Sequence, residues 1–407
     1  MKSHNTTQSN FFGLGIVPAL LAALTRLQYR IPTPIQEQAI PVAIQGKDLV
    51  GIAQTGTGKT LAFGIPMIQQ LAKIKGQGLV VLPTRELAFQ VDETLQKIGG
   101  GTGLRTAVLV GGQAIGPQVR ALSRIPHIII ATPGRLIDHL RQKNLLLGDV
   151  HIVVLDEADR MLDMGFMPQI RKIFAALPKN RQTMLFSATM PAEIMKIAAS
   201  YMQLPVRVEI APPGTTVGRV TQELFIVSRD QKNSLLEKLL ETYHGPTLVF
   251  TRTKYGAKRV TAQIRAVGIA AAEIHSNRSL QQRREALNGF KAGKYRVLVA
   301  TDIASRGIDI AGIELVLNFD LPSSSHDYVH RIGRTARAGA GGHAVTFAMP
   351  GEEREVRAIE RLTRKPLPTS KLPSLPPRRI AEFFSPLNRR QDKPFPRRSH
   401  RFHQLTK

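Results

Sequence analysis

A-Q-T-G-T-G-K-T at positions 53–60 follows the apolar run Leu49-Val50-Gly51-Ile52 and precedes the helix-compatible L-A-F-G-I at 61–65. A strand, a Gly-rich loop and a helix in that order describe a phosphate-binding loop. Gly56 and Gly58 let backbone N–H groups curl around an anion, and the helix N-terminus adds its dipole. Lys59 has the reach for β- and γ-phosphates, and the Thr60 hydroxyl can ligate Mg2+. Gln54, Thr55 and Thr57 fill the loop, and Ala53 stands where the strict pattern has Gly.

Outward from that loop the chain repeats one unit: a short β-branched run, a polar loop, then a helix-period segment. Such runs occur at Leu79–Leu82, Val108–Val110, Ile128–Ile130, Ile152–Leu155 and Met184–Phe186. They resume at Thr247–Phe250, Val297–Val299, Leu315–Leu317 and Ala344–Phe347. Runs without polar alternation suit strands covered on both faces, so the pattern predicts α/β architecture with mainly parallel sheets flanked by helices. The Pro- and Gly-rich A-P-P-G-T-T-V-G at 211–218 separates the two series and predicts a linker. The expected units are 1–212 and 213–363, followed by a basic, disordered tail at 364–407.

At the end of the run Ile152–Leu155 stands D-E-A-D, residues 156–159. Carboxylates at the C-terminal end of a buried strand face the crevice where ligands sit in open α/β sheets. Asp156 is placed to hold Mg2+ through water, and Glu157 to orient or deprotonate an attacking water. Four acid-rich residues alone would suit a solvated turn better than a site; the phosphate loop upstream is what turns them into a candidate site.

Composition narrows the field of partners. The 407 residues hold 56 Lys+Arg against 30 Asp+Glu, a net charge of +26, which points to a polyanion, with nucleic acid ahead of an acidic membrane surface. The excess is uneven: 22 − 13 = +9 in 1–212, 22 − 15 = +7 in 213–363 and 12 − 2 = +10 in 364–407. Zero Cys excludes a disulfide framework, Cys-ligated zinc, Fe–S clusters and thiol catalysis. Met1–Asn10 is polar with no signal-like apolar region, and no run approaches the ~18 apolar residues of a membrane span. The expectation is a soluble cytoplasmic protein.

Together these motifs resemble those of the DEAD-box ATP-dependent RNA helicases, over roughly residues 11–350, most like the bacterial RhlE-type branch. Y-R-I-P-T-P-I-Q at 29–36 resembles the family's adenine-reading motif, with Phe11 at the spacing of its upstream aromatic. The Gln36 amide can both donate to and accept from an adenine edge, and Phe11 and Tyr29 have faces that can pack on the ring. P-T-R-E-L-A at 83–88, Gly111-Gly112 and T-P-G-R at 132–135 resemble first-unit RNA contacts. They make Pro83, Thr84, Arg85, Gly111, Gly112, Thr132, Pro133, Gly134 and Arg135 candidate backbone-phosphate contacts. S-A-T at 187–189 resembles the motif that couples ATP state to strand separation, so Ser187 and Thr189 are expected to bond Asp159 and His330.

The second half continues the resemblance. L-V-F-T-R-T at 248–253 contributes Arg252, and A-T-D-I-A-S-R-G-I-D at 300–309 contributes Thr301 and Arg306 towards RNA and Asp309 towards the ATP ribose. H-R-I-G-R-T-A-R at 330–337 implies arginine fingers Arg334 and Arg337 on the γ-phosphate. The resemblance implies two tandem RecA-like P-loop domains, the cofactors ATP and Mg2+, and a monomer acting on RNA, with ribosomal-precursor or RNA-decay complexes as its setting. Three positions depart from the family pattern: Gln28 and Ala336 each replace Gly, and Leu280 replaces a Gln, leaving Gln281 and Arg284 as a shifted Q-x-x-R. Two other classes fit part of the pattern, a DNA-directed P-loop translocase and a non-catalytic RNA scaffold. The complete set Lys59, Glu157, Arg334 and Arg337 argues against the scaffold.

Overall fold

The computed structural model describes residues 10–54, 56–210, 220–302, 312–335 and 341–375. The first unit carries β1 (Leu49–Ile52), β2 (Gln77–Val81), β3 (Thr106–Leu109), β4 (Ile128–Ala131), β5 (Val150–Asp156), β6 (Gln182–Ser187) and β7 (Val206–Glu209). They form one sheet in the order β3-β4-β2-β5-β6-β1-β7. The second unit carries β8 (Val220–Ile226), β9 (Thr247–Phe250), β10 (Ala271–Ile274), β11 (Val297–Ala300), β12 (Leu315–Asn318) and β13 (Gly342–Ala348), in the order β10-β11-β9-β12-β13-β8. Every pairing between these strands is parallel. This is the two-sheet α/β architecture the sequence implies.

Successive strand residues point to opposite faces, so each central strand feeds two apolar layers. Leu49, Val80, Ile130 and Val154 enter one cluster; Val50, Val81, Ile129 and Val153 enter the other. The second sheet divides likewise, with Val249, Val299 and Leu317 on one side and Leu248, Leu298 and Val316 on the other. Burial on both faces explains why these strands read as unbroken apolar runs.

Three strands give no such signal. β7 reads V-R-V-E and β8 V-T-Q-E-L-F-I; both lie at sheet edges and are only partly buried. β10 is A-A-E-I, fully buried yet Ala-rich, a composition that carries little strand preference. Gln28, which replaces the family's Gly, takes φ +62, the left-handed region that Gly enters without a side-chain penalty. The linker expected at 211–218 lies outside the described residues.

The expected tail divides in two. Residues 364–375 lie along the edge strand β8: Leu224 N–H donates to Pro368 O at 2.8 Å, and Ser370 N–H donates to Leu224 O at 2.9 Å. Leu367 is buried with Leu224 and Tyr328, and Leu375 packs against the cluster of Val249 and Phe347. This strap covers backbone groups that a bare edge would leave open for pairing with another chain. Residues 376–407 lie outside the described residues. Truncation after Leu375 should leave the melting temperature unchanged. Truncation after Thr363 strips Leu367 and Leu375 from the core, costs about 2–3 kcal/mol, and should lower Tm by several degrees in a thermal melt.

Candidate active site

In both sheets the motif loops leave the C-terminal ends of the strands, so one edge of each sheet collects them. The loop 53–60 follows β1, Pro83–Arg85 follows β2, Gly111-Gly112 follows β3, Thr132–Arg135 follows β4, Glu157 follows β5 and Ala188-Thr189 follows β6. Arg252 leaves β9 and Thr301 leaves β11.

The phosphate loop is braced from behind. Thr33 Oγ1 donates to Thr57 O at 2.7 Å, and Gln36 Nε2 donates to Gly58 O at 3.0 Å while its Oε1 accepts from Thr33 N–H at 2.9 Å. Gly56 and Gly58 take φ +87 and +88, and a Cβ on Gly58 would come within 2.3 Å of Gln36 Nε2. Only glycine fits there. Lys59 is buried and donates from Nζ to Ala53 O at 2.9 Å, across the mouth of the loop; Thr60 follows it on the helix Lys59–Leu71. Tyr29 is 42 % exposed, whereas Phe11 is 4 % exposed within the cluster of Ile35 and Ile65. Thr55 lies outside the described residues.

Asp156 and Glu157 are both buried, and Glu157 takes φ +56, a conformation that strains a non-glycine residue and turns its carboxylate out of the strand line. Burial pushes the Asp156 carboxyl up to about 6, with Lys59 opposing. At Glu157 burial works against the charge, but Arg160, Lys59 and Arg334 outweigh it and hold the carboxyl below its usual range. Arg160 Nη1 donates to Glu157 Oε2 at 2.7 Å from a fully buried position. Sequence reasoning passed over Arg160; its place three residues after Glu157 at a helix start is the signal that identifies it.

Asp159 joins β5 to β6. Its Oδ2 accepts from Ala188 N–H (3.1 Å), Thr189 N–H (2.9 Å) and Thr189 Oγ1 (3.0 Å), and its own N–H donates to Ser187 Oγ at 3.2 Å. The structure therefore brings Ser187, Thr189 and Asp159 together. His330 faces the same region from the second unit, where burial, Arg160 and Arg334 push its imidazole down to about 3 and keep it neutral.

Of the H-R-I-G-R-T-A-R arginines, Arg331 is structural. It pairs with Asp302 through Nε (2.5 Å) and Nη2 (2.7 Å), donates to Asn318 Oδ1 and Asp320 O, and lies over the Phe250 ring. Arg334 is buried and shares a small hollow with Arg160 and His330. Arg337, Arg306 and Asp309 lie outside the described residues.

A second group of arginines occupies the far side of the cleft. The Arg85 guanidinium lies over Gly112, whose φ is +70 and where a Cβ would meet it within 2 Å. Burial, with Arg283 and Arg135 nearby, pushes that guanidinium down. Arg135 donates through both Nη atoms to Gln113 O at 3.1 Å. Thr132 and Pro133 are buried at the start of the helix Pro133–Arg141, with Gly134 half-buried beside them. Pro83 and Thr84 are likewise buried, and Thr84 Oγ1 accepts from Leu87 N–H at the start of the helix Arg85–Gly99. In the second unit Arg252 N–H donates to Asp320 Oδ2 at 3.1 Å, and Arg252, Thr301 and Asp302 line a cavity of about 560 Å³ with Asp163 and Met164 of the first.

The two units also touch directly. Arg283 pairs with Glu86 at 2.6 Å, and Arg284 lies 3.8 Å above the Phe89 ring. Leu280 opens the helix Leu280–Lys291 behind a Ser279–Gln282 capping box, so both arginines project across the cleft from the second turn. Arg283 and Arg284 thus form an interdomain contact that no single motif announces.

Comparison with known proteins fits this geometry. Residues 33–197 match the DEAD/DEAH box helicase family and residues 231–339 match the Helicase conserved C-terminal domain. The chain belongs to the DEAD-box RNA helicase family. It is 42% identical over 369 residues to the ATP-dependent rRNA helicase RRP3 of Debaryomyces hansenii, covering 90% of this chain and 77% of that protein. It is 44% identical over 360 residues to the DEAD-box ATP-dependent RNA helicase CshA of Bacillus subtilis, covering 88% and 73%. Among solved structures, S. cerevisiae Dbp5 bound to RNA and ADP BeF3 superposes with a TM-score of 0.79 at 28% identity, over 90% of this chain and 96% of that one. Mss116p bound to ssRNA and AMP-PNP gives 0.82 at 27%, over 92% and 82%.

The contact between Arg284 and Phe89 is the part of this interface most open to direct measurement. Arg284→Ala and Phe89→Ala should each cost about 0.5–1 kcal/mol of closure, a roughly two- to fivefold fall in the closed population read by energy transfer between dyes on the two units. The double variant should lose no more than either single one; additive losses would show that the two side chains do not act on each other.

Proposed function

We propose that this chain is an ATP-dependent RNA helicase that hydrolyses ATP in the cleft between its two units and opens short duplexes as the cleft closes on RNA. The observation that carries this reading is the hollow that Arg334 and His330 of the second unit share with Arg160 of the first, whose guanidinium holds Glu157 at 2.7 Å. A hydrolytic set divided between two units is complete only when they close.

In this reading Gln36 reads the adenine edge, with Tyr29 and Phe11 on the apolar side. Ala53, Gln54, Thr55, Gly56, Thr57 and Gly58 wrap the phosphates with backbone N–H groups, and Asp309 meets the ribose. Lys59 leaves Ala53 O to meet the β- and γ-phosphates. Glu157 orients and deprotonates the attacking water, and Arg334 and Arg337 meet the charge that develops on the transferred phosphoryl group. The hard oxygen donors at the exits of β1 and β5, the Thr60 hydroxyl and the Asp156 carboxylate, suit Mg2+, which keeps several waters and takes further oxygens from phosphates. When bound, Mg2+ neutralises phosphate charge.

RNA crosses the opposite side, held on its backbone by Pro83–Arg85, Gly111-Gly112 and Thr132–Arg135 of the first unit and Arg252, Thr301 and Arg306 of the second. Asp159, Ser187, Thr189 and His330 couple the two sites; a neutral His330 can accept a hydrogen bond as readily as it donates one. ATP and RNA both favour closure, so each should tighten the other's binding by the same factor. Backbone contacts give weak sequence preference and strong salt dependence.

The catalytic units are 1–212 and 213–363, with the strap 364–375 fixed to the second and the basic remainder acting as a diffuse RNA tether. The endings R-L-T-R-K-P-L-P at 361–368 and A-R-A-G at 336–339 favour the RhlE-type branch, a cytoplasmic monomer. The RRP3 relative named as an rRNA helicase favours a ribosomal-precursor substrate. Lys59→Ala should abolish RNA-stimulated ATPase. Glu157→Gln should abolish turnover while sparing ATP binding; full turnover by it would remove the role given to Glu157. Stimulation by DNA as strong as by RNA, in the same ATPase assay, would favour a DNA translocase instead.

A further inference from the structure

The helix Glu353–Thr363 turns Val356 and Ile359 into the cluster that holds Tyr328, Ile332 and Leu367. With those positions facing inward, Arg354, Arg357 and Arg361, spaced three and four apart, share the outer face. Arg364 and Lys365 extend it past the helix end. All five are exposed and line one open hollow of about 760 Å³. Glu360, the acid in that lining, is already engaged: its Oε1 accepts from Leu367 N–H at 2.8 Å. Glu353 accepts from Gly351 N–H in the first turn. Among the described residues none of the five cations is in an ion pair. Like charges at these spacings repel and weaken a helix, so the face is matched to an external anion rather than to stability.

Its position is as informative as its charge. Glu352, at the N-cap of this helix, pairs with Arg252 at 3.4 Å, and Arg252 leaves β9 at the edge assigned above to RNA. The eleven helical residues span about 16 Å, room for roughly four or five phosphates at about 3.4 Å per nucleotide. Four of the five cations are arginines, whose planar forks fit phosphate in a bidentate manner. The chain's own remaining segment is no candidate occupant, because 376–407 carries nine Lys+Arg against two acids.

We propose that Arg354, Arg357, Arg361, Arg364 and Lys365 form an accessory phosphate-binding surface that holds the backbone of RNA after it leaves the cleft past Arg252. The inference rests on the helicase reading above and extends the RNA path beyond the cleft. It gives the second unit a grip on longer strands that does not depend on ATP state or on base sequence.

The test uses the full chain with the double variants Arg357→Gln/Arg361→Gln and Arg357→Lys/Arg361→Lys, and two labelled single-stranded RNAs of about six and about twenty nucleotides. The Gln double should weaken binding of the longer RNA about tenfold at low salt and flatten its log–log salt slope by about 1.4, at about 0.7 per lost phosphate contact. Affinity for the shorter RNA and the RNA-saturated kcat should stay within about twofold, and the Lys double should keep most of the affinity. Unchanged binding and slope for the longer RNA would overturn the proposal, as would equal losses on both RNAs. Loss of binding to phosphatidylserine vesicles with RNA binding intact would overturn it in favour of a membrane surface. RNA-stimulated ATPase of the unaltered chain, run in parallel, separates the two readings: its absence would overturn the helicase itself, whereas its presence beside unchanged long-RNA binding overturns only the accessory surface. Were the Gln double to lose its melting transition, the single Arg357→Gln and Arg361→Gln variants decide by the same criteria at about half the slope change.

Discussion

Two adjacent buried carboxylates, Asp156 and Glu157, set the terms for the rest of the molecule. Buried charges of like sign are tolerable only with cations around them. Lys59 arrives from the phosphate loop, Arg160 from the next helical turn and Arg334 from the other unit. The first two fix the local shape of the site, and the third ties that shape to closure. Glu157 then holds its charge while Asp156, less well compensated, is raised to about 6. Neighbouring acids thus acquire different chemistry from their surroundings alone.

Parallel sheets make this arrangement possible. Every strand delivers its loop to the same edge, so a dozen residues scattered over nearly three hundred positions converge without any long excursion of the chain. The same geometry builds the opposite side of the cleft, where Arg85 and Arg135 gather beside Gly112 and the second unit reaches across with Arg283 and Arg284. Contacts on both sides of the cleft therefore bridge the same two bodies. Asp159, bonded to Ser187, Ala188 and Thr189, ties the exit of β5 to that of β6.

Much of this was legible beforehand. The apolar runs are strands because both sheet faces are covered, and the phosphate loop is recognisable because its glycines have no substitute: Gly58 packs against Gln36. Asp156 and Glu157 announced themselves by following a buried strand. The edge strands β7 and β8 were not legible, since they carry the mixed polarity of half-exposed segments, and β10 has too few β-branched residues. The strap at 364–375 was hidden inside a basic, Pro-rich stretch, because what fixes it is backbone bonding to Leu224 and two leucines finding pockets made by distant elements.

The sequence by itself determined which residue types the site offers, since the glycines and Lys59 of the loop, the paired carboxylates and the arginines each stand at short spacings, and short spacings survive folding. Only the tertiary structure decided which charges meet. Arg283 on Glu86 and Arg284 on Phe89 are contacts between residues about two hundred positions apart, Arg334 of the second unit helps to hold the charge of Glu157, and Arg331, alike in sequence to Arg334, is spent on Asp302 and Phe250. Electrostatic energy depends on distance and burial, and neither is written in the order of the residues.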